Sequence, residues 1–350
     1  MSTSSPTITF CLEQALGHRA HGQNLEAALQ RHPCQSRVIR VEQPQRERVR
    51  VPWAVRGSAG AYKALRDARP SGPVFFHTQT ISLFAPAAVR GRPYVVSVDA
   101  TPVQVDAMGE WYQHGQGPRY IEAPKRTWYR SVLKRAEAVV AWSEWASKSL
   151  QDDYGVPEAK ILVAHPGAST AMFNLPREDD PGTVRILFVG GNFVRKGGDT
   201  LLAAFRSIRG PGLELVLVTE ADVPMEPGVR VERGIAPGSE RLLREYGRAD
   251  IFCLPTLGDC TPVAVEEAMA AGLPVLTTPV GANAETVIHG ETGLLVPVSD
   301  EQGLANALRR LVDDRLERQR MGAAARERAR RLLSADDNAF RIMDLMVSLA

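Results

Sequence analysis

The chain has 350 residues, too many for one ordinary hydrophobic core and a suitable length for two domains. It is 44% hydrophobic and 23% charged, as globular proteins are. It contains no run of eighteen apolar residues, which a transmembrane helix would need. The net charge of +2 excludes a strongly basic protein, but residues 1–174 carry 21 Lys and Arg against 14 Asp and Glu, and residues 175–350 carry 21 against 26. This asymmetry indicates two domains with different partners and is too weak to indicate nucleic acid.

The beginning of the chain and its cysteines predict a cytoplasmic protein. The stretch MSTSSPTITF lacks the basic start and the apolar core of a signal peptide. Cys11, Cys34, Cys253 and Cys260 have no metal-ligand spacing, and two of them lie in strand-like runs. We expect all four to be reduced thiols.

Short apolar runs alternate with longer helical stretches along the whole chain, a pattern typical of parallel sheets covered on both faces. The predicted strands are Thr7–Leu12, Arg37–Glu42, Val74–His77, Tyr94–Val98, Ala138–Trp142 and Ile161–Ala164, then Val184–Gly190, Leu213–Thr219, Val229–Glu232, Ile251–Pro255, Pro274–Thr278 and Leu294–Pro297. Two series of six predict two doubly wound α/β domains, at residues 1–174 and 175–334. His165–Val184 is the predicted linker, and residues 335–350 form a C-terminal helix expected to pack back on the first domain.

Ligands of such domains bind at the carboxyl ends of the strands, so the loops after strands hold the candidate sites. In GDCTPVAVEEAMAAGLPVLTTPVGA (residues 258–282), Thr261 is a predicted N-cap and Pro262 the first helical residue. Gly272 is a good left-handed stop. The free amides of Val263 and Ala264 would then form a positive helix end that suits a phosphate.

Two carboxylates flank this helix start. Glu267 lies one turn beyond Val263 and shares its face, and Asp259 lies in the loop before the helix. Each can accept hydrogen bonds from hydroxyl groups, and a phosphate flanked by two polyols describes a nucleotide sugar. Taken alone, the stretch favours a capped βαβ crossover with a surface Glu. Glu266 lies about 100° around the helix from Glu267 and is interpreted as such a surface residue, without a role in binding.

The stretch 259–293 resembles the signature of the retaining family 4 glycosyltransferases, whose GT-B fold has two Rossmann-like domains facing across a cleft. The matching positions are Asp259, Glu267-Ala268-Met269-Ala270, Gly272, Pro274-Val275, Gly281, Glu285, Gly290 and Gly293. The resemblance covers most of the second domain and the first more loosely. It implies that Glu267 holds the donor ribose, that Asp259 contacts the donor sugar, and that the amides between them, with Thr261, contact diphosphate and sugar. Asp259 and Ala282 replace the usual Glu and Gly.

Two further loops of the second domain resemble the same family. Lys196 and Gly197 match the family's diphosphate clamp, where cations stabilise the departing diphosphate. Gly191 stands where the family usually has an Arg, and Arg195 is the nearest substitute. The other interpretation of this stretch is a solvated turn after a strand, but a role in binding the diphosphate is favoured. By the resemblance, the main chain at Gly234-Ile235 lies against the nucleobase.

The first domain offers weaker candidates. Gly17 resembles the family's Gly-rich turn, and His18 and His21 follow it at a helix start. Two histidines do not make a metal site; they either contact acceptor or diphosphate or serve the helix end. Asp99 stands where many family members have a His near the reacting centre, and it either contacts sugar or nucleophile or caps the next helix. His77 is a second candidate.

The segment Arg119–Leu150 combines basic and aromatic residues. Its first part, residues 119–135, suits peripheral contact with an anionic membrane, as in lipid-directed relatives. A solvated helix face is the favoured interpretation.

The sequence therefore predicts a GT-B glycosyltransferase that is retaining and independent of metal, with Asp99, Lys196, Asp259 and Glu267 as catalytic residues. No Asp-x-Asp pair follows a strand. The expected donor is a UDP- or GDP-linked sugar with no other cofactor, and the acceptor is a sugar, glycan, lipid or small molecule bound by the first domain. Three alternatives stay open: a sugar-nucleotide epimerase, a non-catalytic nucleotide-sugar-binding subunit and a lipid-directed transferase.

Overall fold

The computed structural model describes residues 7–15, 18–42, 52–112, 119–178 and 180–350. The chain divides into two compact units, Met1–Pro166 with Ala335–Ala350, and Gly167–Ser334. All twelve predicted strands form, with ends that differ by no more than about two residues from the predicted ones. Among the described residues, no helix is long and apolar enough to cross a bilayer.

In the first unit, the described residues form a parallel sheet of six strands in the order β2-β1-β3-β4-β5-β6. The strands are β1 (Ile8–Glu13), β2 (Ser36–Val41), β3 (Val74–Phe76), β4 (Tyr94–Val98), β5 (Ala138–Ala141) and β6 (Ile161–Val163). The helices are α1 (Arg19–Leu29), α2 (Trp53–Ala68), α3 (Ala85–Val89), α4 (Pro102–Ala107), α5 (Arg119–Arg135) and α6 (Glu144–Asp152), with single 3-10 turns at Gln79–Ile81, Gly109–Tyr112 and Glu158–Lys160. Phe10 and Phe75 lie in one core and Cys11 and Phe76 in another. Both faces of the sheet are therefore covered, as the continuous apolar runs predict.

In the second unit, the described residues again form six parallel strands, in the order β12-β11-β10-β7-β8-β9. The strands are β7 (Val184–Val189), β8 (Leu213–Val218), β9 (Val229–Glu232), β10 (Ile251–Leu254), β11 (Val275–Thr277) and β12 (Gly293–Leu295). The helices are α7 (Thr170–Phe173), α8 (Gly198–Ile208), α9 (Glu240–Arg248), α10 (Val263–Ala270), α11 (Asn283–Thr286), α12 (Glu301–Asp313) and α13 (Arg315–Leu332).

Each sheet has a point where the strand order reverses. It lies between β1 and β3 in the first unit and between β7 and β10 in the second. The chain leaves these neighbouring strands in opposite directions, which opens a crevice at their carboxyl ends. The loops after β1, β3, β7 and β10 are therefore the places where ligands are expected.

The last helix packs in the first unit, and the predicted linker packs against the second. The last helix, α14 (Ala335–Ser348), buries Ile342 and Met343 in the same core as Leu25 of α1, and so belongs to the first unit. The predicted linker lies instead against the second unit. Met172 is buried in that unit's core, and the N–H of Ala168 donates to the carbonyl of Leu333 at 2.8 Å. The break between the units consequently follows residue 166 and not residue 174.

Candidate functional site

The loops after β7 and β10 are joined to each other at the second unit's reversal point. The N–H of Leu257 donates to the carbonyl of Arg195 at 2.8 Å. Lys196 Nζ bonds to Asp259 Oδ2 across a sequence separation of 63 residues. Arg195 Nη1 donates to the Gly258 carbonyl at 2.5 Å and lies 3.6 Å from Asp259 Oδ1. The structure thus brings both predicted cations to the first predicted carboxylate.

Two glycines, one after β7 and one after β11, allow their loops to approach the loop after β10. Gly197 has φ +77°, and a Cβ there would lie 1.9 Å from the Pro255 carbonyl oxygen. Gly281 has φ +59°, and a Cβ there would lie 2.2 Å from the Asp259 carbonyl oxygen. Any other residue at either position would be strained and would push the backbone of the loop after β10 away.

The start of α10 differs from the prediction. The helix begins at Val263 with Pro262 as N-cap residue and no side-chain cap, so Thr261 is not the cap. The Thr261 hydroxyl is buried and has no hydrogen-bond partner within the described part of the chain. The amides of Val263 and Ala264, like the first amides of any α-helix, have no acceptor inside the helix. The helix start therefore presents a hydroxyl and main-chain donors. At the other end, Gly272 is left-handed as predicted, with φ +79°.

Glu267 lies one turn along α10. The Tyr246 hydroxyl donates to Glu267 Oε2 at 2.9 Å, a partner that the sequence did not indicate. Burial, with a contribution from the charge of Glu266, raises the pKa of Glu267 to about 7 against the opposing effect of the Tyr246 bond. Glu266, interpreted as a surface residue, is in fact 1% exposed and accepts the N–H of Gly167 at 2.8 Å. That interpretation was wrong because a backbone donor from a distant segment reaches the helix.

The loop after β9 is the third part of this site. The N–H of Gly234 donates to Glu220 Oε1 at 2.8 Å, and Ile235 packs partly buried against the core. Glu220 follows β8, and the sequence analysis did not single it out. Its carboxylate holds the main chain at Gly234, where the resemblance expects the nucleobase.

Glu13, which ends β1 in the first unit, is the centre of a second polar cluster. Its side chain is 1% exposed. Oε1 accepts from the indole N–H of Trp53. Oε2 accepts from Thr78 Oγ1 at 2.5 Å and Thr80 Oγ1 at 2.8 Å, and it lies 3.0 Å from His18 Nδ1. The sequence analysis missed Glu13; the signal available was an acid that directly ends an apolar strand.

His18 connects this buried carboxylate to Asp99, since His18 Nε2 lies 3.2 Å from Asp99 Oδ2. Burial alone would lower the pKa of His18, but the bonds to Asp99 and Glu13 outweigh it and raise that pKa to about 10. Burial would raise the pKa of both carboxyl groups, yet His18 lowers the pKa of Glu13 to about 2 and also lowers that of Asp99. His18 is therefore an imidazolium held between two carboxylates, and its side chain and that of Asp99 are 18% and 16% exposed.

Asp99 does not cap a helix, and the candidates His21 and His77 lie inside the first unit. The cap of α4 is Thr101, which forms a capping box with Gln104, so Asp99 is not the helix cap. His77 is fully buried, and its Nε2 lies 2.9 Å from Nδ1 of the buried His21. Burial and the charge of His18 lower the pKa of His77 to about 3, so His77 is an uncharged core residue and not a surface contact.

Gly17 lies outside the described residues. Within the described ranges, no group of three or more His, Cys, Asp and Glu side chains is arranged to hold a metal ion. Independence of metal stays a prediction, because the reaction itself has to be measured.

Two basic side chains of helix α5 contact carboxylates. Lys125 Nζ lies 3.0 Å from Glu122 Oε2 and 3.5 Å from Asp106 Oδ2. Arg126 Nη2 lies 2.9 Å from Asp153 Oδ1. Tyr129, on the same helix, is buried in the first unit's core. The helix therefore packs on the unit through Tyr129, with Lys125 and Arg126 in ion pairs; whether it contacts a membrane stays a prediction.

Two family models match the chain. The model described as Glycosyltransferase Family 4 matches residues 14–171, and the model described as Glycosyl transferases group 1 matches residues 183–314. Together these matches include the loops of both polar clusters. The chain is therefore similar to these glycosyltransferases over most of both units.

Known proteins show the same similarity. D-inositol 3-phosphate glycosyltransferase from Nocardioides sp. is 28% identical over 251 residues, 61% of this chain and 54% of the relative. The chain spans about half the length of the curated relatives that it matches. Sucrose-phosphate synthase from Thermosynechococcus elongatus has a TM-score of 0.77 at 21% identity, over 98% of this chain and 99% of its own. HepE from Anabaena, solved with UDP-glucose, has a TM-score of 0.70 at 16% identity, over 98% and 100%. The predicted GT-B fold class is confirmed.

The cluster around His18 makes a prediction about stability. His18→Gln should lower the free energy of unfolding by about 3 kcal/mol, because it leaves a buried carboxylate without its cation. The contribution of His18, whose pKa is raised from 6.5 to about 10, is complete below pH 6.5 and is lost as pH rises to 10. The contribution of Glu13, whose pKa is lowered from 4.5 to about 2, is complete above pH 4.5 and is lost as pH falls to 2. Urea unfolding from pH 4 to pH 10 should therefore show the largest difference between wild type and variant from pH 4.5 to 6.5.

His32→Gln is the matched control, since His32 contacts only the exposed Asp344 among the described ionic partners, at 3.2 Å. Such a pair contributes about 1 kcal/mol or less. A loss in His18→Gln that is the same at every pH would contradict the imidazolium assignment.

Proposed function

We propose that the protein transfers a sugar from a nucleoside diphosphate sugar to an acceptor hydroxyl, with retention of anomeric configuration and without a metal ion. The observation that carries the proposal is the meeting of Lys196, Asp259 and the start of α10 at the reversal point of the second sheet. The matches to the two glycosyltransferase family models support it, as do the names of the relatives.

The diphosphate is proposed to bind at the start of α10. The first amides of a helix and the partial positive charge of its amino end favour an anion there. Lys196 adds a full charge, and the buried Thr261 hydroxyl adds a further donor. A diphosphate at this position competes with Asp259 for Lys196. Donor binding then exchanges one ion pair for another and releases the Asp259 carboxylate to accept hydrogen bonds from sugar hydroxyls.

The nucleoside is proposed to lie against Glu267 and the loop at Gly234-Ile235. An ionised Glu267 accepts hydrogen bonds from two ribose hydroxyls, and Tyr246 fixes the orientation of the carboxylate. The base would contact main chain held by Glu220. Main-chain contacts select weakly among bases. UDP-glucose, bound by HepE, is the first donor to test, and GDP-linked sugars are the second.

The chemical step breaks the bond between the anomeric carbon and the diphosphate oxygen and forms a bond to the acceptor oxygen on the same face. The acceptor proton passes to the departing phosphate oxygen. Lys196 and the start of α10 stabilise the negative charge that develops on the leaving group, which is the task a metal ion performs in other enzymes. No protein nucleophile is required.

The acceptor is proposed to bind at the carboxyl edge of the first sheet. Asp99 is the accessible carboxylate there, and His18 keeps it ionised and oriented. An ionised Asp99 can accept a hydrogen bond from an acceptor hydroxyl. A membrane-bound acceptor gains no support from α5, because Lys125 and Arg126 already contact carboxylates.

Donor binding gives the first prediction for this proposal. The measurement is the melting temperature of the protein with UDP, GDP, ADP, UDP-glucose, GDP-mannose and ADP-glucose, each with and without EDTA. We expect one base to raise the melting temperature, EDTA to leave the rise unchanged and Glu267→Ala to abolish it. Glu327→Ala, at an exposed position of α13, is the control. Dependence of the rise on a divalent ion would contradict the metal-free mechanism, and no rise with any nucleotide would contradict the transferase.

Competition for Lys196 gives the second prediction. Asp259→Asn should tighten binding of free UDP by about fivefold, because a partly buried ion pair of about 1 kcal/mol no longer opposes the diphosphate. The same variant should lose the extra affinity that the sugar of UDP-glucose provides. Titration calorimetry measures both constants. Weaker binding of UDP by Asp259→Asn would show that Asp259 does not compete for Lys196.

The raised pKa of Glu267 gives the third prediction, because the carboxylate accepts ribose hydroxyls only when ionised. With a pKa of about 7, Glu267 is mostly ionised at pH 8 and mostly protonated at pH 6. Affinity for UDP-glucose, whose diphosphate does not titrate in this range, should fall roughly tenfold between these pH values. Glu267→Gln should bind weakly with no such pH dependence. A wild-type affinity that is constant from pH 6 to pH 8 would contradict the role of Glu267.

Turnover separates the transferase from its two rivals that bind the same donor. A transferase consumes the nucleotide sugar faster when an acceptor is present. An epimerase converts it without any acceptor, and a binding subunit does not convert it at all. His21 and His77 are buried and lend the epimerase no support, whereas the partly exposed His18 and Asp99 are compatible with it.

A further inference from the structure

A cavity of about 740 Å³ opens at the amino-terminal edge of the second sheet, at the end opposite to the nucleotide loops. Its lining includes Val184 and Leu213, the first residues of β7 and β8, and Asp250 and Pro274, which directly precede β10 and β11. The six residues of β7 separate the two edges by about 20 Å. The cavity is therefore distinct from the proposed donor site, and its volume is that of a small-molecule site.

One face of α13 forms a wall of this cavity. Arg315, Arg318, Gln319, Gly322, Ala323 and Arg326 all line it. They lie three or four residues apart and so share a face of the helix. A Cβ at Gly322 would lie 2.2 Å from the Gly272 carbonyl oxygen, so the missing side chain lets α13 approach the sheet. The small residues at the centre of the face leave space between arginines at its two ends.

Arg326 is the most unusual of these side chains. One Nη donates to the Phe173 carbonyl, but Nε is buried and has no hydrogen-bond partner among the described residues. Burial and the nearby charges of Arg330 and Arg177 lower the pKa of Arg326. No carboxylate of the described chain lies within 4.0 Å of its guanidinium group, so a partly buried cation is surrounded by other cations.

Arg318 repeats this pattern at the other end of the face. Its Nη1 donates to the carbonyls of Leu311 at 2.6 Å and Val312 at 2.8 Å, which hold the guanidinium group in place. Burial lowers its pKa, although Asp250 and Asp314 lie near enough to oppose the effect. As with Arg326, no ion pair to a described carboxylate neutralises Arg318.

The acids at the cavity are already engaged by other groups. Asp250 Oδ2 accepts the N–H of Arg185 at 2.8 Å, and its Oδ1 lies 3.9 Å from Arg177 Nη2. Asp180 Oδ2 lies 2.5 Å from Arg185 Nη2. These contacts leave Arg318 and Arg326 as the fixed cations of the lining that lack an anion.

We propose that this cavity binds a phosphorylated small molecule, with its phosphate on Arg326 and its organic part extending along the helix face toward Arg318 and the loops that precede the strands. A partly buried guanidinium group without an anion costs stability, and a phosphate satisfies such a group with paired hydrogen bonds. The volume exceeds that of a free phosphate ion, so an organic body is expected. The inference does not depend on glycosyl transfer, because the two sites lie at opposite edges of the sheet.

Titration calorimetry on the full chain tests this with three probes: inorganic phosphate, pyrophosphate and glucose 6-phosphate. We expect glucose 6-phosphate to bind at least about tenfold more tightly than inorganic phosphate. The double variant Arg318→Gln with Arg326→Gln should weaken its binding by about tenfold or more for each lost charged donor. Arg331→Gln, at an exposed position of the same helix, should bind as wild type does. Lys196→Ala should also leave this binding unchanged, which separates the cavity from the donor site.

Ala323→Glu provides a second test that removes no existing contact. Ala323 is an exposed residue of the lining, and a carboxylate there should repel the phosphate by about tenfold in affinity without disturbing the core. The melting temperature of each variant without probe shows that it folds. The inference is overturned if none of the probes binds, if inorganic phosphate binds as tightly as glucose 6-phosphate, or if Ala323→Glu and the double variant bind as wild type does.

Discussion

The order of strands in the second sheet is the constraint on which the candidate site depends. Because β10 returns to pair with β7, the loops that follow these two strands leave side by side. Lys196 and Asp259 are remote in sequence and meet only for this reason. Gly197, after β7, and Gly281, after β11, are required because their backbones approach the loop after β10 more closely than any side chain allows. The cations, the carboxylate and the start of α10 are thus consequences of one topological choice.

The strand order of the first sheet also reverses, and the side chains at that point differ from those of the second unit. Its reversal point lies between β1 and β3, where Glu13 takes four donors and fixes His18 as a cation. His18 in turn orients Asp99 at the end of β4. The second unit offers a lysine that an anionic ligand can recruit, whereas the first offers a carboxylate that hydroxyl groups can approach. This division fits a phosphorylated donor and a hydroxyl acceptor, which is the pairing that a glycosyltransferase needs.

The sequence predicts the strands, and it singles out the second-unit residues that the fold brings together, because apolar runs and a long ordered motif both leave direct marks on it. It fails where a role depends on what a distant segment contributes. The sequence predicts Glu266 to be a surface residue, but in the fold its carboxylate accepts the N–H of Gly167. Glu13 is a single acid at a strand end, and only the fold supplies its four donors. His77 has the position of a ligand contact, but its burial follows from packing and leaves no local pattern.

The arginines of α13 illustrate the same limit in another way. In the sequence they lie in a highly charged helix that would be interpreted as solvated. Only the fold reveals that Arg318 and Arg326 face a cavity at the sheet edge, while Arg331 is exposed. Residue spacing defines the face of a helix, and the surrounding loops decide whether that face meets water or a ligand.

The central claim is that the donor diphosphate binds at the reversal point of the second sheet. A crystal structure of the protein with UDP tests it most directly. The account predicts the diphosphate at the amides of Val263 and Ala264, with Lys196 Nζ on a phosphate oxygen and separated from Asp259, and with both ribose hydroxyls on Glu267. UDP bound elsewhere, or bound with the pair between Lys196 and Asp259 intact and the start of α10 unoccupied, would contradict the account.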